Sequence, residues 1–157
     1  MKIALGADHK GYQLKRDIRV FLESRGHEVQ DFGTDSDASV DYPDYGRAAA
    51  QAVASGEAEL GLVFCWTGTG MAITANKLPG IRSAVVLNTD MAQLARQHNN
   101  VNVLAIPSKY VEPEQAKAIV QSWLDARFEG GRHARRLAKI ESLETESRST
   151  GRQPQRS

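Results

Sequence analysis

The chain has one cysteine, little net charge and no long apolar run, and each of these shortages excludes a class of protein. Because Cys65 is alone, no internal disulfide can form, so a hydrophobic core must hold the fold. A formal net charge of +1 gives no reason to expect a nucleic-acid partner. No window reaches the roughly eighteen apolar residues of a membrane span, and the first residues lack the apolar stretch of a signal peptide. We therefore expect a cytoplasmic protein with no membrane and no nucleic acid among its partners.

Short apolar runs alternate with helical patterns along most of the chain. Strands are predicted at 2–6, 27–32, 60–64, 83–87 and 102–106. Between them, apolar residues recur at helical spacing, for example at Leu14, Ile18 and Leu22. Strands separated by helices favour right-handed crossovers and a parallel sheet covered on both faces. The pattern predicts a Rossmann-like three-layer α/β sandwich whose five parallel strands have the order 2-1-3-4-5.

The composition changes after residue 143. Residues 144–157 read ETESRSTGRQPQRS and contain no apolar side chain. Such a segment cannot bury enough surface to order itself. We therefore predict one folded domain at 1–143 and a disordered tail at 144–157.

Polar residues follow the two strands at which the predicted sheet reverses its winding. Sheets of this kind bind ligands beyond the carboxyl ends of the strands at that point. Strand 1 is followed by Asp8 and His9, and strand 3 by Cys65. The sequence therefore predicts a ligand site between strands 1 and 3.

Two glycines follow Cys65 closely and precede a helical pattern at 72–76. Gly68 and Gly70 allow a tight turn with consecutive N–H groups, which favour a bound oxyanion. A thiol at the same helix start has its thiolate form favoured. A base beside oxyanion donors is what an aldose–ketose isomerisation needs. The alternative is an inert cysteine beside a simple turn, the commoner role of a free cysteine, but the position of Cys65 favours the reactive one.

Five segments together resemble the type B ribose-5-phosphate isomerase family, which also includes the two subunits of galactose-6-phosphate isomerase. They lie at 6–11, 41–45, 65–71, 98–99 and 130–136. The resemblance extends over residues 1–143 and omits the tail. It implies an isomerase of the pentose phosphate pathway that forms a cis-enediol, needs no cofactor or metal, and works as a homodimer with shared active sites. Whether two dimers pair is left open.

The resemblance also implies roles for individual residues. Cys65 is the base, Thr67 assists it, and His98 opens the sugar ring by proton transfer. His98, Asn99 and Lys109 reach the site from the neighbouring subunit. The other implied substrate contacts are Asp8, His9, Tyr42, Trp66, Gly68, Thr69, Gly70, Arg132 and Arg136. Of these, Arg132 and Arg136 lie four residues apart, so one helix face can present both to a phosphate, although such pairs more often form a solvated face.

Three positions depart from the commonest pattern of the family. Trp66 replaces glycine, Thr69 replaces an apolar residue, and Lys109 replaces an arginine, which keeps the charge but loses the bidentate fork. These changes leave the reaction type intact and put the identity of the sugar in question. Ribose 5-phosphate is the leading substrate, and erythrulose 4-phosphate, galactose 6-phosphate and allose 6-phosphate are alternatives.

Two other classes of protein are alternatives to an isomerase. A non-catalytic sugar-phosphate-binding module has no use for a base, so the residues at the catalytic positions argue against it. A nucleotide-binding domain needs G-x-G-x-x-G after strand 1, where the chain has Gly-Ala-Asp-His at 6–9. No group of His, Cys and Asp has the spacing of metal ligands, and His27 and His133 are interpreted as structural.

Overall fold

The computed structural model describes residues 1–151, in which strands alternate with helices. The strands are β1 (Lys2–Ala7), β2 (Glu28–Asp31), β3 (Leu60–Cys65), β4 (Ser83–Val85) and β5 (Val103–Pro107). The helices are α1 (Tyr12–Ser24), α2 (Tyr42–Ala54), α3 (Thr69–Asn76), α4 (Thr89–Asn99), α5 (Pro113–Asp125) and α6 (Arg132–Ser149). The predicted strands are thus confirmed, with ends that differ by one or two residues. None of the described helices is both long enough and apolar enough to cross a membrane.

All five strands are parallel, and their order is β2-β1-β3-β5-β4. The α/β class is as predicted, but the order 2-1-3-4-5 is wrong in its last two strands. β5 is buried along its whole length, whereas β4 has three residues, all partly exposed. A fully buried strand suits an inner position and a short, half-exposed one suits an edge. The reversal between β1 and β3, which positions the predicted site, is present.

The two faces of the sheet have separate cores because successive strand residues point to opposite sides. Leu62 and Phe64 of β3 belong to the core that includes α1, α5 and the fully buried Trp123. Val63 and Cys65 belong to the opposite core, where α2 and α3 contribute mainly small side chains. Cys65 therefore lies at the carboxyl end of an inner strand, packed among the residues of α2 and α3.

Helix α6 continues past the predicted start of the disordered tail. It reaches Ser149, so the boundary at 144 is too early. Both carboxylate oxygens of Glu144 accept from the N–H of Gly80, at 3.2 and 3.3 Å, and Glu141 lies 3.8 Å from Arg82. Glu144, Glu146 and Arg148 have high helix propensity, and the contacts of Glu141 and Glu144 are polar. The helix therefore continues here without burying apolar surface. The last part of the predicted tail, 152–157, lies outside the described residues.

Candidate active site

Three segments of the chain meet at the carboxyl ends of the inner strands. The N–H of Asp8 donates to the carbonyl of Phe64 at 3.2 Å, and the N–H of Lys109 donates to the carbonyl of Trp66 at 2.9 Å. The first bond joins the turn after β1 to the end of β3, and the second joins the turns that follow β3 and β5. The predicted site residues Asp8, Cys65 and Lys109 are therefore brought to one edge of the sheet. Lys109 thus lies beside the Cys65 loop of its own chain, whereas the resemblance implies that it reaches the site from the neighbouring subunit.

Asp8 and His9 are both fixed by backbone donors. The Asp8 carboxylate is 6% exposed, and its Oδ1 accepts from the N–H groups of Lys10 and Gly11 at 2.9 Å each. His9 accepts at Nδ1 from the N–H of Val40 at 3.2 Å. Because Nδ1 is an acceptor here, Nε2 carries the proton of the neutral ring. His9 is thus held with Nε2 as its donor, which suits an anionic ligand.

The thiol of Cys65 is buried and faces backbone donors. Its Sγ accepts from the N–H of Gly68 at 3.2 Å, and the residue is 5% exposed. Burial raises the pKa of the thiol, the N–H groups of Met71 and Gly68 lower it, the charge of Asp8 raises it, and the N–H of Thr67 lowers it. The net direction is upward, so the predicted preference for the thiolate is wrong. The donors are in place, but desolvation outweighs them.

The loop at 65–71 has a shape that only glycine allows at two positions. Gly68 precedes α3 with φ of 78°, in the left-handed region that other residues rarely adopt. A Cβ at Gly70 would lie 2.5 Å from Cζ of Tyr42, so the Tyr42 ring covers the loop directly. The side chains of Thr67 and Thr69 are exposed. The structure therefore places Tyr42 against the loop, where the sequence predicts it as a substrate contact.

Trp66 lies at the rim of this loop between two positive charges. Its side chain is 45% exposed, and the Nζ atoms of Lys10 and Lys109 lie 4.9 and 5.7 Å from its ring centroid. An ammonium group at this distance from an indole ring is attracted to it. The indole therefore keeps two cations beside the loop. Lys109 is among the predicted site residues, whereas Lys10 is not.

The other predicted residues lie elsewhere on the chain. His98 and Asn99 end α4, and the exposed Arg132 and Arg136 occupy the first turns of α6. Within residues 1–151, no hydrogen bond or ion pair connects this second group to Cys65. A single chain therefore presents its predicted site residues as two separate groups.

Two residues that the sequence does not assign to the site contact His98. The imidazole rings of His98 and His133 are stacked, and the carboxylate of Glu129 lies 4.0 Å from the first and 3.5 Å from the second. Desolvation lowers the pKa of His133, as do His98, Arg132 and Arg136, and Glu129 opposes them. His133 follows Arg132 in the predicted phosphate motif, which is the one signal that could have drawn attention to it.

The chain resembles proteins of known activity over nearly its whole length. The family model described as Ribose/Galactose Isomerase matches residues 3–140. Ribose-5-phosphate isomerase B of Escherichia coli is 50% identical over 143 residues, 91% of this chain and 96% of the relative. D-erythrulose-4-phosphate isomerase of Pectobacterium atrosepticum is 41% identical over 141 residues, 89% and 93% of the two chains. The crystal structure of ribose-5-phosphate isomerase B from Mycoplasma genitalium with bound ribulose-5-phosphate matches with a TM-score of 0.89 at 40% identity, covering 92% of this chain and 97% of that one.

Proposed function

Because the chain belongs to the Ribose/Galactose Isomerase family, we propose that it interconverts ribose 5-phosphate and ribulose 5-phosphate. The observation that carries this proposal is the Cys65 thiol at the end of β3, which faces the N–H groups of Thr67, Gly68 and Met71. Isomerisation moves one proton from C2 to C1 and one from O2 to O1. The thiolate of Cys65 takes the carbon-bound proton, and the surrounding donors stabilise the enediolate oxygen. This is sugar-phosphate chemistry of the cytoplasm, where we place the protein.

Positive groups around the loop at 65–71 fit the phosphate of the substrate. Lys10 and Lys109 lie beside the Trp66 ring, and His9 offers Nε2 as a donor. Arg132 and Arg136 belong to the second group of site residues, and they add two guanidinium groups on one face of α6 when a neighbouring copy brings that group to the loop. This geometry suits forked contacts with phosphate oxygens. A phosphate held by these groups anchors the far end of the open-chain sugar, while C1 and C2 lie at Cys65.

We infer that two copies of the chain form a homodimer and share their sites. Met91, Leu94 and His98 are spaced i, i+3 and i+7 on α4, so they lie on one face of the helix. Met91 and Leu94 are each 39% exposed, as expected of apolar side chains that a partner covers. A second copy on this face buries both and brings His98 to its neighbour's Cys65. The arrangement explains why one chain presents two separate groups of site residues.

A tetrose phosphate is the second candidate substrate. Trp66 stands where the commonest family pattern has glycine, and its exposed ring adds bulk at the rim of the loop, which would favour a shorter sugar. The similarity to a D-erythrulose-4-phosphate isomerase agrees with this alternative. The mechanism is the same in both cases, since the proton moves between C1 and C2 of either sugar.

A panel of sugars tests the proposed function. Purified protein is assayed with ribose 5-phosphate, erythrulose 4-phosphate, galactose 6-phosphate, allose 6-phosphate and unphosphorylated ribose. We expect the highest kcat/KM for ribose 5-phosphate and the lowest for ribose. A clear preference for a tetrose or hexose phosphate keeps the mechanism and replaces the substrate. Absence of turnover with every sugar phosphate, while one of them binds, contradicts the proposal and identifies a binding module.

A further inference from the structure

His98 of the second group forms a compact cluster with two polar side chains outside that group, Glu129 and His133. The rings of His98 and His133 have centroids 4.3 Å apart and planes tilted by 10°. Oε2 of Glu129 lies 4.0 Å from Nε2 of His98 and 3.5 Å from Nε2 of His133. One nitrogen or oxygen atom from each of the three side chains lies within 4.8 Å of the other two. The family resemblance gives His98 the ring-opening step and leaves the other two without a role.

The stacking of the two rings does not fit a shared metal ion. An imidazole nitrogen binds a metal through a lone pair in the plane of its ring, at about 2.0–2.1 Å for zinc. Two nearly parallel planes at stacking distance do not meet near the cluster, so one ion cannot lie in both planes. The stacked arrangement therefore favours a role in which the ring of His133 restricts the orientation of the His98 ring.

The fold holds His133 and Glu129 firmly beside His98. The backbone N–H of Glu129 donates to the carbonyl of Gln97 at 3.0 Å, which ties the segment before α6 to the end of α4. His133 is 6% exposed, and its Nε2 makes no hydrogen bond within the part of the chain that the structure describes. A buried nitrogen that makes no hydrogen bond destabilises a fold, and the Glu129 carboxylate at 3.5 Å is too poorly placed to accept one. An apolar ring would fill the same space without a buried nitrogen and would destabilise the fold less. Packing alone therefore does not explain why this residue is a histidine.

We propose that His133 and Glu129 are positioning residues that hold the His98 imidazole for opening the furanose ring. The proposal rests on the function proposed above. Ring opening removes a proton from the hydroxyl on C1, delivers a proton to the ring oxygen, and breaks the bond between C1 and that oxygen to leave the aldehyde. The charge of Glu129 stabilises the imidazolium that delivers the proton, and the flat face of His133 restricts rotation of the His98 ring.

Substrates that need no ring opening separate this role from a structural one. Ribose 5-phosphate is mainly a furanose. Ribulose 5-phosphate and erythrose 4-phosphate stay open-chain, because the oxygen that would close a five-membered ring carries the phosphate. We expect His133→Ala and Glu129→Gln to lower kcat/KM for ribose 5-phosphate about ten-fold and to leave kcat/KM for erythrose 4-phosphate within about two-fold. Erythrose 4-phosphate is the comparison because ribulose 5-phosphate is the product of the same reaction, and the equilibrium constant ties its kcat/KM to that of ribose 5-phosphate. His133→Phe keeps a flat ring and should recover part of the loss.

The control is Lys139→Ala, an exposed position on α6, which should change neither rate. Thermal unfolding is followed for every variant, and the exposed Glu129 supplies a test if His133→Ala does not fold. Equal losses with both substrates indicate a structural role and overturn the proposal, as do unchanged rates. If the parent protein turns over neither substrate, the proposed function is itself wrong.

Discussion

A base at position 65 must be charged while it works, although its surroundings favour the neutral thiol. Replacing Cys65 by alanine removes the base and leaves the N–H groups of the loop in place. We expect Cys65→Ala to lower kcat by at least about 10²-fold, the lower end of what a positioned base contributes, with little loss of substrate binding. Steady-state kinetics and equilibrium binding measure the two effects. Near-normal turnover would remove Cys65 from the mechanism, and Cys65→Ser is the milder test because a hydroxyl substitutes in part.

The upward direction of the Cys65 pKa also determines how the rate depends on pH. A base acts only when deprotonated, and burial raises the pKa of this thiol. The fraction of active protein therefore grows as the pH rises. We expect kcat/KM, which reports groups of the free protein, to be still rising at about pH 8.5, the ordinary pKa of a thiol. A plateau that begins below pH 7 would contradict this assignment.

Site residues that belong to one short motif could be identified from the sequence. Site residues that come together only when helices pack could not. Cys65, Gly68 and Gly70 form a motif within one turn, so their proximity needs no knowledge of the fold. His133 is a different case, because its contact with His98 arises only when α6 packs beside α4. Periodicity gives the faces of helices but not which helix lies next to which.

At the scale of elements, the sequence predicted every strand but not the position of the last two. β4 and β5 are both apolar runs, and their difference in burial depends on neighbours that periodicity does not identify. The error at the start of the tail has another cause. Residues 144–149 lack apolar side chains, yet helix propensity and the contact between Glu144 and Gly80 continue α6 through them. The pattern of apolar residues reveals neither the helix propensity nor the polar contact.

Helix α6 supplies a prediction about phosphate binding. Arg136 lies one turn after Arg132, so both can contact one phosphate, whereas Arg135 is turned by about 100° from Arg136 around the helix axis. Loss of a charge-assisted hydrogen bond costs about 1.5–3 kcal/mol. We expect Arg136→Ala to raise KM for ribose 5-phosphate about ten-fold or more, and Arg135→Ala to have little effect. Initial rates over a range of substrate concentrations measure KM, and equal KM values for the two variants would argue against the clamp.

At the scale of the whole molecule, the two groups of site residues predict complementation between subunits. Cys65→Ala removes the base from one group, and His98→Asn removes the acid from the other. Mixing the two inactive proteins creates hybrid dimers in which one site keeps both residues. We expect activity to return in the mixture, as measured with ribose 5-phosphate. No recovery after subunit exchange has been confirmed by mass spectrometry would mean that each site is built from one chain.

The two tryptophans of the chain occupy opposite environments. Trp66 is 45% exposed beside two ammonium groups, and Trp123 is fully buried, with its Nε1 donating to the carbonyl of Val101 at 3.1 Å. Because the emission of an indole depends on the polarity around it, we expect Trp66 to fluoresce at longer wavelength than Trp123 and to be the one that dissolved iodide quenches. A sugar phosphate that displaces iodide from the rim therefore changes the red part of the spectrum alone. The short-wavelength emission, which comes from Trp123, should change only when unfolding exposes the core. Ligand binding and unfolding would then have separate fluorescence signals.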